Sequence, residues 1–175
     1  MQKVVVFFIA VIFLMGTTSF IPINKTKVNW LTLNDMAIAY AKAPKPILVD
    51  LYTDWCGWCK VMDKDTYSNT DVVAYINEHY YAVKFNAEIK DTVIFNGKKY
   101  GYNAQNRAND LAVFLAYGQM SYPTTVFLSA VNAQPALLPG YLKAKEIEPY
   151  LKFFGDGAYK SINFPMFMKN FKSNW

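Results

Sequence analysis

The chain has 175 residues, 53% hydrophobic and 18% charged, which is too apolar for a disordered protein and sized for one domain with its own core. Its net charge of +5 comes from lysines scattered along the chain, so composition points to a solvated surface and to no nucleic-acid partner. The two cysteines, Cys56 and Cys59, lie three residues apart, and a bridge across so short a loop hardly constrains the unfolded chain, so they make a poor structural staple.

Met1, Gln2 and Lys3, an apolar run over 4–15 and the small residues Gly16 to Ser19 follow the order of a secretory signal. Residues 1–22 therefore read as a signal peptide or an N-terminal membrane anchor. With 20–23 added the stretch approaches a bilayer span, and no Ala-x-Ala cleavage site stands out. Residues 23–175 are expected to form one domain outside the cytoplasm.

Thr32 to Asp35 has capping-box form and opens a helix over 33–42, stopped by Pro44 and Pro46. The apolar run 47–53 predicts a strand buried on both faces. Helices are predicted over 57–67 and 70–79, then a strand over 81–86. Apolar arms around Asn96-Gly97 predict a hairpin over 93–100. A helix over 107–117, a strand over 124–129 entered from Pro123, and a strand over 136–138 follow. Ile147, Leu151 and Phe154 space a helix over 144–154, with Gly155 as its C′ stop. In the tail Phe164, Phe167, Met168 and Phe171 repeat the pattern behind Pro165, predicting one more helix docked on the core.

A thiol exchanger needs one sulfur with a lowered pKa and a second close enough to release the client from a mixed disulfide. Cys56-Gly57-Trp58-Cys59 stands where a buried strand runs into a helix, and free N–H groups of a first turn stabilise a thiolate at the first cysteine. Cys56 is thus expected to be the exposed sulfur and Cys59 the more buried one. His79, the only histidine, closes a predicted helix and suits a C-terminal cap. Two sulfurs and one distant histidine do not make a zinc set, no His follows the second cysteine for haem attachment, and no phosphate loop is present. No metal or cofactor is expected beyond the Cys56–Cys59 pair.

The segment from Ile47 to Lys60 resembles the active-site strand and loop of the thioredoxin superfamily. Its Trp-Cys-Gly-Trp-Cys-Lys form is similar to small extracytoplasmic thioredoxin-like proteins and to the C-terminal periplasmic domain of DsbD-type thiol:disulfide interchange proteins. The resemblance extends over about 28–154 and includes Asp50 and the Tyr122-Pro123-Thr124-Thr125 segment. It implies an α/β thioredoxin-like fold, a central mixed sheet flanked by helices, with the 93–102 hairpin inserted and an extra C-terminal helix. It also assigns roles: Cys56 as nucleophile, Cys59 as resolving thiol, Asp50 as the buried acid handling the second cysteine's proton. Pro123 matches the cis-proline beside the dithiol, and Trp55, Trp58 and Tyr122 fall on the substrate side. Lys84 matches a position that often carries lysine near the buried acid. Lys60 reads as a solvated helix residue. The implied activity is periplasmic protein thiol–disulfide exchange, in the reducing direction, with disulfide-containing client proteins and a membrane electron donor of DsbD type as partners. Trp58 departs from the Gly-Pro dipeptide of ordinary thioredoxins, so an oxidase or isomerase of the same fold stays open, as does a non-catalytic chaperone or Cu(I)-binding module.

Overall fold

The computed structural model describes residues 26–175, so the signal or anchor read over 1–22 lies outside the described residues. In chain order the elements are β1 (Trp30–Leu31), α1 (Leu33–Lys42), β2 (Ile47–Tyr52), α2 (Gly57–Asp65), α3 (Thr70–His79), β3 (Tyr81–Asn86), β4 (Val93–Phe95) and β5 (Lys98–Tyr100). There follow β6 (Tyr102–Asn103), β7 (Ala108–Asn109), α4 (Asp110–Leu115), β8 (Thr124–Leu128), β9 (Ala136–Pro139), α5 (Ala144–Gly155), a 3-10 turn (Ala158–Lys160) and α6 (Phe164–Asn170).

The central sheet has the order β1-β3-β2-β8-β9, with β1, β3 and β2 parallel and β8 and β9 antiparallel to their neighbours. Strand β2 sits in the middle, which is why Ile47 to Leu51 are all buried. Val49 and Leu51 face a layer containing Met36 of α1 and Leu111 and Leu115 of α4. Leu48 faces the opposite layer, with Met62 of α2, Val72 and Ile76 of α3, and Ile147 of α5. By the two-residue period of a strand, Asp50 shares Leu48's side and turns toward α2.

Local chemistry explains most boundaries. Thr32 Oγ1 accepts the Asp35 N–H at 3.0 Å and donates to its carboxylate at 2.7 Å, starting α1. Ala43, held extended by the following proline, ends it (φ −149°, ψ 96°). Asn96 and Gly97 both adopt positive φ in the tight turn between β4 and β5. That hairpin caps no edge of the central sheet. It forms its own two-stranded sheet and, with α1, walls an apolar cleft of about 750 Å³ lined by Leu33, Met36, Tyr40, Phe85, Val93 and Phe95.

Three expectations are corrected. The helix predicted over 107–117 begins only at Asp110, because Asn109 caps it and Ala108–Asn109 first pairs with Tyr102–Asn103. Gly155 is not the C′ stop of α5. The helix includes it, and the left-handed residue is Gly157 (φ 76°). Gly155 serves close packing instead: a Cβ there would sit 2.6 Å from the Tyr75 hydroxyl oxygen. That hydroxyl is held on Asp156 at 2.5 Å, and the ring is stacked on His79 at 4.1 Å. Gly155→Ala is therefore expected to destabilise the protein by about 1–3 kcal/mol. A urea midpoint lowered at unchanged m is the measurement, and an unchanged midpoint would show that Tyr75 can yield.

The third correction concerns the tail. Helix α6 forms and docks, but none of its residues is buried. Phe164 stacks on Tyr150 at 4.5 Å and Phe167 meets Phe153 at 5.4 Å, while Met166 and Met168 stay exposed. The chain end is tied down separately at Glu148 of α5. Burial acts to raise that carboxyl, yet hydrogen bonds from Lys152, Ser173 Oγ and the Asn174 N–H outweigh it and hold the group below the usual carboxylate range. Strand β1 escaped the sequence reading, since two residues carry no periodicity.

Candidate active site

Strand β2 delivers the chain into a turn in which the Cys56 N–H donates to the Thr53 carbonyl at 3.1 Å. Cys56 is then the N-cap of α2, and its sulfur accepts the Cys59 N–H at 3.0 Å. The two cysteines are joined as a disulfide. A sulfur at this place receives one of the N–H groups that a first turn leaves unpaired, and it sits at the positive end of the helix.

The expected contrast in exposure is absent: each cysteine is 4% accessible. Bonded to each other, the sulfurs form one unit within the first turn, so exposure does not separate them in this state. Backbone position does. Cys56 lies outside the helix at its cap, whereas Cys59 lies within it, among the residues α2 buries with Met62.

Aromatic side chains flank the pair. Trp55 and Trp58 are 67% and 62% exposed, unusual for side chains so large, so neither is core. The Trp55 indole N–H donates to both Glu88 carboxylate oxygens at 3.1 Å, and its ring stands edge-on to Tyr122 at 5.9 Å. Trp58 leans on Tyr141 at 5.5 Å. The Tyr122–Pro123 peptide is cis and leads directly into β8. Lys60 is exposed on α2, and His79 closes α3 against Tyr75, where it plays no part in this cluster.

On β2, the strand that leads to the disulfide, Asp50 is 1% accessible. Lys84 Nζ lies 3.2 Å from its Oδ2, and Oδ1 has no protein hydrogen-bond partner. Lys84 also pairs with Asp63 of α2 and lies over the rings of Tyr52 and Trp30, at 5.2 and 5.5 Å. Burial pushes the Asp50 carboxyl up to about 6; Lys84 pulls the other way, and Asp63 adds a smaller upward push. The result is an internal acid that can take or give a proton near neutral pH.

Sequence reading missed Asp63, Glu88 and Tyr141. Asp63 had a usable signal, since it stands four residues after Cys59 and so shares its helix face. Glu88 and Tyr141 had none, being 33 residues from Trp55 and 83 from Trp58 along the chain. Among the described residues no group of three or more His, Cys, Asp or Glu side chains is placed to share a metal ion.

Residues 33–155 match the model of a thioredoxin-like domain. The chain is 29% identical over 120 residues to the thiol:disulfide interchange protein DsbD of Citrobacter koseri, covering 67% of this chain and 18% of that protein. It thus spans about a fifth of the length of the curated relatives it matches. Among solved structures it is similar to a DsbH oxidoreductase, at 15% identity and TM-score 0.54, over 81% of this chain and 93% of that one. It is likewise similar to a thioredoxin-fold protein from Helicobacter pylori, at 20% identity and TM-score 0.53, over 88% and 96% of the two chains. Both structures share the fold.

Proposed function

The chain belongs to the thioredoxin-like domain family, and from that membership we propose that it is a protein thiol–disulfide oxidoreductase working outside the cytoplasm as a disulfide reductase. The observation that carries the reading is the Cys56–Cys59 disulfide at the cap of α2, with the Asp50 carboxyl buried on the strand that leads into it.

In the reduced protein, the Cys56 thiolate attacks one sulfur of a client disulfide. The client S–S bond breaks, a mixed disulfide forms, and the departing client sulfur takes up a proton. Cys59 then gives its proton to Asp50 and attacks the Cys56 sulfur. The mixed disulfide breaks, the second client sulfur leaves as a thiol, and the protein keeps the Cys56–Cys59 disulfide, having passed two electrons to the client. Trp55, Trp58, Tyr122 and the backbone at Pro123 form the surface on which the client chain lies. A membrane donor of DsbD type restores the dithiol. Similarity to DsbD supports this setting. So does the signal-like order of residues 1–22. Among the described residues no helix is long and apolar enough to cross a membrane.

The direction of electron flow is tested by equilibrating the protein with a thiol redox buffer. A reduction potential near that of thioredoxin, about −270 mV, is expected; one near that of DsbA, about −120 mV, overturns the reductase reading in favour of an oxidase.

A further inference from the structure

Strand β3 is paired by β2 along its whole length, from Tyr81 to Asn86. On its other side β1 pairs only with Ala82 and Val83, and the chain then turns away into α1. Among the described residues no strand lies beside Lys84 to Asn86 on that side. The N–H groups of Tyr81 and Ala87 donate to the carbonyls of Pro46 and Tyr52, on the β2 side, at 3.0 and 2.8 Å. Main-chain groups alternate in direction along a strand, so those of Lys84 and Asn86 turn the other way. The Asn86 carbonyl accepts the Ile89 N–H at 3.2 Å. The Lys84 carbonyl and the Asn86 N–H lie past the last β1 pair, an acceptor and a donor on either side of Phe85. A single residue of an added parallel strand meets both.

This edge faces the apolar cleft between α1 and the β4–β5 hairpin. Val83, Lys84, Phe85 and Asn86 line the cleft consecutively. Side chains of a strand alternate between its faces, so four in a row line a cleft that runs along the strand's edge. Among the described residues Lys84 is the one charged residue of the lining, and its ammonium is held by Asp50 and Asp63. The cleft therefore suits a neutral, apolar chain. It is also continuous with the client surface. Ile89 lines the cleft, and its neighbour Glu88 holds the Trp55 indole. Asn86 donates to the carboxylate of Asp54, the residue before Trp55, at 3.1 Å.

We infer that this cleft is a second docking site for client proteins: an extended apolar segment of the client adds as a parallel strand to the β3 edge at Lys84–Asn86, its side chains held between α1 and the hairpin, while the client disulfide meets Cys56. The inference rests on the exchange reaction proposed above and names its substrate class, proteins that expose an apolar strand close to a disulfide, as unfolded chains do.

The docking probe is a short cysteine-free peptide rich in Val and Ile, with Lys at each end. Titrated into the oxidised full chain, it is expected to move the backbone amide NMR signals of Lys84–Asn86 and Val93–Phe95. A peptide with Ser in place of each Val and Ile should bind about tenfold or more weakly, the size that one or two buried apolar side chains contribute. Ala37→Trp, from an exposed position on α1 that lines the cleft, should fill it and weaken binding as much. Ile94→Lys should do so from the hairpin wall. With the reduced protein, a cystine-looped peptide carrying the apolar arm should show kcat/KM about tenfold or more above its Ser-armed counterpart, mainly through KM, and Ala37→Trp should bring the two together. Peptide shifts confined to other residues overturn the inference, as do folded Ala37→Trp and Ile94→Lys proteins that both bind like wild type. Shifts at the same amides with octanol but not with the peptide mark a small-molecule site and overturn it too, as does self-association through this cleft, seen as a mass that rises with protein concentration. A protein that binds the peptide here but reduces neither client would defeat the exchange reading while the docking site stands.

Discussion

Cys59→Ala is expected to convert a catalyst into a trap. The variant retains Cys56 at the cap of α2, where the first-turn N–H groups and the helix dipole favour a thiolate, so attack on client disulfides continues. No second sulfur is left to resolve the product. Mixed disulfides through Cys56 should accumulate, visible as higher-mass species that vanish with dithiothreitol. Cys56→Ser should abolish exchange, lowering turnover by about a thousandfold or more, since a hydroxyl at this site is neither ionised nor redox-active. The pair of variants discriminates sharply. If Cys56→Ala trapped clients and Cys59→Ala did not, the roles would be reversed. If neither trapped anything, exchange with proteins would not be the function.

Asp50→Asn is expected to stabilise the fold at alkaline pH while slowing the chemistry. The folded carboxyl titrates at about 6, against an ordinary value of 3.8, with burial as the main cause. Between those values the folded protein holds a proton that the unfolded chain has lost. Stability therefore falls as pH rises through this window, by roughly 3 kcal/mol for a shift of about two units. Asparagine removes the titration. At pH 8 the variant should exceed wild type by an amount of that order, and below pH 4 the difference should vanish. Lys84 keeps Asp63 as a partner, so the exchange does not strand a cation. Release of the mixed disulfide should slow by about tenfold or more near pH 7, because Cys59 loses its proton acceptor. Urea unfolding at pH 4 and pH 8, with stopped-flow measurement of the release step, checks both halves. A variant less stable than wild type at pH 8 would mean that ionised Asp50 is there for structure.

Both predictions draw on residues that stand in the sequence as a motif, and their neighbours show where such reading stops. The strand from Ile47, the helix over Thr70–His79, the strand over Tyr81–Asn86 and the Asn96-Gly97 hairpin appear as expected, because burial period, caps and turn chemistry act within a few residues. Helix α4 starts late because the Asn109 side chain both caps it and donates to the carbonyls of Ile89 and Asp91, some 20 residues back. Gly155 is a glycine for the sake of Tyr75, on another helix.

By itself the sequence determined that a two-sided strand carries a buried acid into a helix that begins at a cysteine pair, and that a proline-led strand follows. Those features are local, and local steric and capping rules decide them. The tertiary structure alone decided what surrounds the acid and the sulfurs. It brings Lys84 and Thr125 to either side of Asp50, Asp63 onto the same lysine, Tyr67 onto the threonine, and Glu88 onto the Trp55 indole. The register of three strands and the seating of one helix create those contacts, and register is a property of the folded sheet, set by which faces can be buried together.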